Sequence, residues 1–153
     1  MADHLTVVPA TRIGIKYPNG AYKSERYFLD FVVNGHSLWQ LVGKSRDMVS
    51  ILCREFVLDQ TIKSVNRALL RQEGDLPDNR RSLFICSECG DIGCGAITAR
   101  IVKEGDAILW RDFGFENNYQ KHVDLYKELG PFTFDAVSYE CVLLQAIDAL
   151  KLS

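Results

Sequence analysis

The sequence predicts an α+β fold: an antiparallel sheet from two β-meanders, backed by two main helices, in the order β-β-β-α-β-β-β-α. Two observations carry the strands. Asn34-Gly35 and Glu104-Gly105-Asp106 each separate runs of β-branched and aromatic residues, the chemistry of a tight hairpin. A third carries the helices. Apolar residues recur at helical spacing after Asp59 and again after Asp135.

Taken in order, Thr11 to Tyr17 alternates Ile13 and Ile15 with Arg12, Gly14 and Lys16, and Pro18-Asn19-Gly20 turns the chain. Arg26 to Val33 is the second strand, and Asn34-Gly35 returns it into His36 to Val42. Residues 45–58 fit a short helix or a strand equally well. A helix with Asp59 as N-cap is expected to about Gln72, with Ile62, Val65, Leu69 and Leu70 on one face and Gly74 as its stop. Leu76 to Asn79 is a loop too short to separate domains, so the 153 residues form one domain. Ser82 to Ile85 enters a strand, residues 97–102 alternate, and Ala107 to Phe113 returns after the turn. One or two helical turns are expected over His122 to Leu129. In the last helix Asp135 is the N-cap, Phe134 can pack on Tyr139, and Val142, Leu143, Ala146, Ile147 and Leu150 share a stripe. This element order resembles the Whirly-type architecture, a likeness of arrangement that carries no function.

Composition bounds the function. With 47% hydrophobic and 25% charged residues the chain has the make-up of a globular protein with a real core. A net charge of −2 lacks the positive field that nonspecific nucleic-acid binding requires. The charge is uneven: from Asp75 onward there are 13 acidic and 8 basic residues, which suits a basic protein partner. Residues 1–10 lack the pattern of a signal peptide, and no run approaches the roughly 20 apolar residues of a membrane span, so a cytoplasmic location is expected. In that compartment five cysteines read as thiols or metal ligands before disulfides.

Three of those cysteines fall in one stretch, Ile85 to Gly95, reading I-C-S-E-C-G-D-I-G-C-G. Cys86-x-x-Cys89-Gly90 has the form of a zinc knuckle: two thiolates two residues apart can face one ion, and the glycine lets the backbone turn toward the sulfurs. Cys94 supplies a third thiolate. A structural zinc needs four ligands, and His122, Cys141, Cys53 or a carboxylate such as Asp91 would have to be the fourth. The same residues also read as small thiols in a rigid corner, with Gly90, Gly93 and Gly95 supplying freedom and Asp91 capping amides. Thioredoxin-like chemistry is disfavoured, because Glu88 and Asp91 place negative charge beside the C-x-x-C pair and no helix N-terminus follows it.

No catalytic constellation is recognisable. His4, His36 and His122 have no spacing that links them to a nucleophile, and no phosphate loop, dinucleotide fingerprint or H-E-x-x-H motif occurs. The other dense stretch runs from Trp110 to Asn118, where aromatic and acidic residues alternate. Asp91, Trp110, Asp112 and Glu116 are therefore the expected partner-binding residues, aromatic anchor and charged rim together.

The combination C-x-x-C-G-D-x-G-C-G followed by W-x-D-F-G-x-E-N, spanning Cys86 to Asn118, resembles a group of small bacterial proteins without an assigned activity. By size and acidity the chain also resembles immunity proteins of bacterial toxin systems. That second resemblance implies a non-catalytic binding protein that neutralises a basic, nuclease-type toxin. The alternative is a zinc-binding or thiol-dependent redox protein that uses Cys86, Cys89 and Cys94.

Overall fold

Pro9 does not prevent Leu5–Arg12 from forming the first strand, β1, because β1 lies at the end of its sheet, where a missing N–H is tolerated. It runs antiparallel to β4 (Arg26–Val33) over its whole length, from Leu5 opposite Val33 to Arg12 opposite Arg26. The expected strand from Thr11 to Tyr17 is thus displaced toward the N-terminus. Ile15–Lys16 (β2) and Tyr22–Lys23 (β3) instead form a separate two-stranded ribbon around the predicted Pro18-Asn19-Gly20 turn. The computed structural model describes residues 2–117, 119, 120 and 122–152; Asn118, the last residue of the stretch carrying the first resemblance, lies outside them.

Asn34 and Gly35 both take positive φ, as a two-residue hairpin turn requires, but the returning strand β5 is only His36–Ser37. Trp39–Gly43 then coils into a π-helical turn in place of the expected strand to Val42. The carboxylate of Asp30 starts it, accepting the Trp39 N–H at 3.1 Å and the Ser37 hydroxyl. Leu38 and Val42, four residues apart, bury on one face. The ambiguous residues 45–58 resolve into the end of a 3-10 turn (Lys44–Arg46), β6 (Met48–Ser50), an isolated bridge at Cys53 opposite Phe28 and a turn leading into the next helix. Trp39 Nε1 donates to the Met48 carbonyl at 2.8 Å. Beyond β6, Leu29 N–H donates to Leu52 O and Ile51 N–H to Leu83 O, both at 3.0 Å, sewing β4 to the next sheet.

Helix α1 is shorter than expected, Leu58–Ala68. Asp59 lies in its first turn rather than at the cap, where its charge faces the positive end of the helix dipole. Termination occurs well before Gly74. Leu70 takes φ +63°, Leu70 N–H donates to Arg67 O, and Arg71 N–H donates to Asn66 O, the paired bonds of a Schellman cap.

The second sheet is ordered β10-β9-β8-β7-β6, with β11 also paired to β9. Its members are β7 (Arg81–Cys86), β8 (Ala96–Glu104), β9 (Ala107–Glu116), β10 (Asp124–Leu125) and β11 (Phe132–Asp135). The predicted hairpin at Gly105 joins β8 and β9. The helical turns expected over His122 to Leu129 are replaced by β10. Gly114 explains why: a Cβ there would sit 2.3 Å from Val123 Cγ1, so only glycine lets this segment lie against β9.

Helix α2 (Ala136–Lys151) begins as predicted, with Asp135 accepting the Ser138 N–H at 2.9 Å and the Phe134 ring stacked 5.8 Å from Tyr139. It packs on α1, β1, β9 and β11. Reciprocal bonds between Asp3 and Thr133 tie the start of the chain to β11.

The α+β class therefore holds, while the arrangement differs from the expectation. Among the described residues six strands precede α1 and five separate the helices, divided among three sheets. At the centre of the shared core, Trp110 makes edge contacts with Phe31, Phe113, Phe134 and Tyr139 and donates to the Tyr139 hydroxyl at 3.1 Å. Among the described residues no helix is long and apolar enough to cross a membrane.

Candidate thiolate metal site

Cys86 ends β7, and the chain turns through Ser87, Glu88 and Cys89 before Gly90 N–H closes back on the Cys86 carbonyl at 3.0 Å. This closure places Gly90 at φ +67°, where an added Cβ would lie 3.3 Å from the Phe56 ring. Asp91 then caps a 3-10 turn over Ile92–Cys94, its Oδ1 accepting the Gly93 N–H at 3.1 Å. Gly95, at φ +136°, leads into β8; a Cβ there would lie 2.8 Å from the Phe115 ring. Two successive turns thus aim three sulfurs at one point.

All three Sγ atoms lie within 4.8 Å of one another. Cys89 and Cys94 are exposed and 3.2 Å apart, while Cys86 is half-buried. Sulfurs around a tetrahedral zinc, at about 2.3 Å from the ion, are about 3.8 Å from each other. The closest pair is shorter than that spacing and none exceeds it by more than about 1 Å, an adjustment within reach of side-chain rotation. The donor set fits a soft or borderline cation.

The groups that hold the loop come from distant parts of the chain. Arg12, buried at the end of β1, donates through Nη2 to Ser87 Oγ and to Glu88 Oε1, each at 2.7 Å. Its Nε donates to Asp47 Oδ1 at 2.9 Å, and its Nη1 to the Ser24 carbonyl. Arg26 Nε donates to the Ser87 carbonyl at 2.7 Å, and Gln60 Nε2, from α1, donates to the Gly90 carbonyl at 2.7 Å. Glu88, which the sequence reading set against the thiols as an uncompensated charge, is ion-paired to Arg12 and lies 3.5 Å from Arg26. Sequence reasoning missed Arg12, Arg26 and Gln60, since no local spacing links them to the cysteines.

The expected fourth ligands do not join the cluster among the described residues. Cys53 is buried opposite Phe28, and burial pushes its thiol up to about 12. Cys141 lies exposed on α2, and His122 pairs with Asp124 at 3.1 Å. Asp91 accepts the Gly93 N–H through Oδ1 and is not grouped with the three sulfurs.

Two of the expected partner contacts are corrected. Trp110 has no exposed surface and Glu116 has 6%, so neither meets a partner. The cause is a β-bulge. Asp112 takes φ +53° where the β8–β9 register shifts, so Trp110 and Phe113, three apart, come to one side and touch. Glu116 turns inward, accepting from Arg80 Nε at 3.1 Å and from the Thr98 hydroxyl at 2.6 Å. Asp91 and Asp112 remain exposed, the latter beside Arg100 and Arg111. Without its aromatic anchor, the basic-partner reading rests on charge asymmetry alone.

Comparison with family models, with curated proteins and with solved structures returns no match.

Proposed function

We propose that this chain is a non-catalytic zinc-binding protein whose ion is held by Cys86, Cys89 and Cys94. The observation that supports it is the convergence of three sulfurs, in a loop fixed from behind by Arg12, Arg26 and Gln60. Such outer-shell bonds set the orientation of ligands before the metal arrives. With two of the three cysteines exposed, water or a donor from a binding partner would complete the four ligands. Three thiolates give a dication a net charge of −1, which weakens it as a Lewis acid. Among the described residues no histidine or carboxylate joins the three sulfurs as a further ligand. Held there, the ion would clamp the β7–β8 corner and supply a structural rather than a catalytic role.

The test is metal content and spectroscopy. Protein purified under reducing conditions without chelator is expected to carry one zinc per chain. Cobalt in its place is expected to show the near-ultraviolet thiolate-to-metal bands of a three-sulfur site. Cys86→Ser, Cys89→Ser and Cys94→Ser each reduce uptake, and Cys141→Ser leaves it unchanged. A reduced chain that takes up neither ion overturns the reading.

A further inference from the structure

The exposed Cys89 and Cys94 lie 3.2 Å apart, sulfur to sulfur, and only Gly90, Asp91, Ile92 and Gly93 separate them. We propose that this pair, rather than the C-x-x-C pair Cys86 and Cys89, is a reversible disulfide site whose oxidant is a low-molecular-weight disulfide. This inference stands on the thiol geometry; its consequence for metal binding rests on the zinc reading above.

Three observations select the pair. An S–S bond is about 2.05 Å long, so the two sulfurs need to approach by roughly 1.2 Å in all. Both are reachable by a solvent-borne oxidant, whereas Cys86 is half-buried. Both also lie outside the sheet, Cys89 in the turn after β7 and Cys94 at the end of the short 3-10 turn. Cys86 is fixed by its place in β7, opposite Met48, and by its carbonyl's bond to Gly90.

The chemistry is thiol–disulfide exchange. One thiolate of the pair attacks the small disulfide, forming a mixed disulfide and releasing one small thiol. The second thiolate then attacks the protein sulfur of that mixed disulfide and releases the other small thiol. The Cys89–Cys94 bond forms, the oxidant's S–S bond breaks, and the two electrons and two protons leave on the two small thiols. Oxidation consumes two of the three sulfur ligands, so disulfide and metal exclude each other.

Metal-free full-length chain is equilibrated with oxidised glutathione, free thiols are alkylated, and the denatured protein is cleaved after glutamate. Cleavage after Glu88 separates Cys86 from Cys89 and Cys94. The expected result is an alkylated Cys86 fragment, separate from a fragment holding an internal disulfide that dithiothreitol reverses. The bond is retained in Cys86→Ser and Cys141→Ser and lost in Cys89→Ser and Cys94→Ser. A fragment pair linked through Cys86, or stable glutathione adducts with no internal bond, overturns the proposal. Zinc added to the reduced and oxidised forms separates the two readings. Uptake by the reduced form and its loss on oxidation supports mutual exclusion, and equal uptake by both overturns it. No uptake by either, with the disulfide mapped, removes the zinc reading and leaves the disulfide site standing.

Discussion

Arg12 and Glu88, 76 residues apart in sequence, meet at 2.7 Å, and through them the end of the first strand grips the cysteine loop. The arginine is almost wholly buried and the glutamate partly exposed, so the geometry is set from the arginine side.

Replacing Arg12 with methionine keeps most of the buried apolar stem and removes its two bonds to the loop, leaving those of Arg26 and Gln60. Loss of an outer-shell support is expected to weaken zinc binding by about tenfold or more. Competition with a chromophoric chelator measures it. An affinity equal to the wild type would show that the loop holds its shape without the clamp.

Asp47 anchors the other side of Arg12 and also accepts from Lys23 at 2.6 Å. Partial burial works against its charge, but the hydrogen bonds and charges of Arg12 and Lys23 outweigh this and hold its carboxyl below the ordinary value of 3.8. The folded chain therefore binds this proton less readily than the unfolded one. The stabilisation is present above the unfolded pKa, near 4, and is lost as pH falls through the folded value. Asp47→Asn, whose side chain tolerates the φ of +53° at this position, is expected to cost about 1 kcal/mol at neutral pH, a figure discounted for the carboxylate's exposure. Urea unfolding of both proteins from pH 7 downward should show the difference shrinking below about pH 4. A gap that stays constant to acid pH would contradict the ion-pair account.

Arg80 and Glu116 form a pair with side chains only 3% and 8% exposed. Truncating one partner strands the other, and Glu116→Ala is expected to cost about 3–5 kcal/mol in denaturant unfolding. Removing both charges as Arg80→Met with Glu116→Leu should cost less than the sum of the single changes, and a double-mutant cycle reads the coupling. Additive single effects would mean that the bulge beneath the pair, where Arg80 also donates to the Asp112 carbonyl, carries the energy instead.

Burial pushes the Cys53 thiol up to about 12, and its sulfur is sealed beside Phe28. A maleimide at neutral pH is expected to label Cys89, Cys94 and Cys141 in the native reduced protein and to reach Cys53 only after denaturant is added. Native labelling of Cys53, mapped by mass spectrometry, would contradict that burial.

The parts of this fold legible in the sequence are those decided locally. The β8–β9 hairpin follows from its turn glycine and the start of α2 from Asp135, because each signal sits beside the bond it makes. Segments held by distant partners gave no such signal. β10 exists because Gly114 leaves it room, and α1 stops early because Leu70, rather than a glycine, takes the left-handed cap. The site divides in the same way. Eleven residues announce the three thiols, but their supports arrive from β1, β4 and α1. Trp110 and Glu116 were misplaced because an alternating reading assumes an unbroken strand, and the bulge at Asp112 breaks it.

The two tryptophans give the chain its own optical gauge. Trp110 is enclosed in the aromatic core, whereas half-buried Trp39 donates its indole N–H to Met48, the residue paired across the sheet with Cys86. Light emitted by Trp39 thus originates one strand away from the thiols, so events at the corner can be followed in the unlabelled protein, with Trp110 as the steady background.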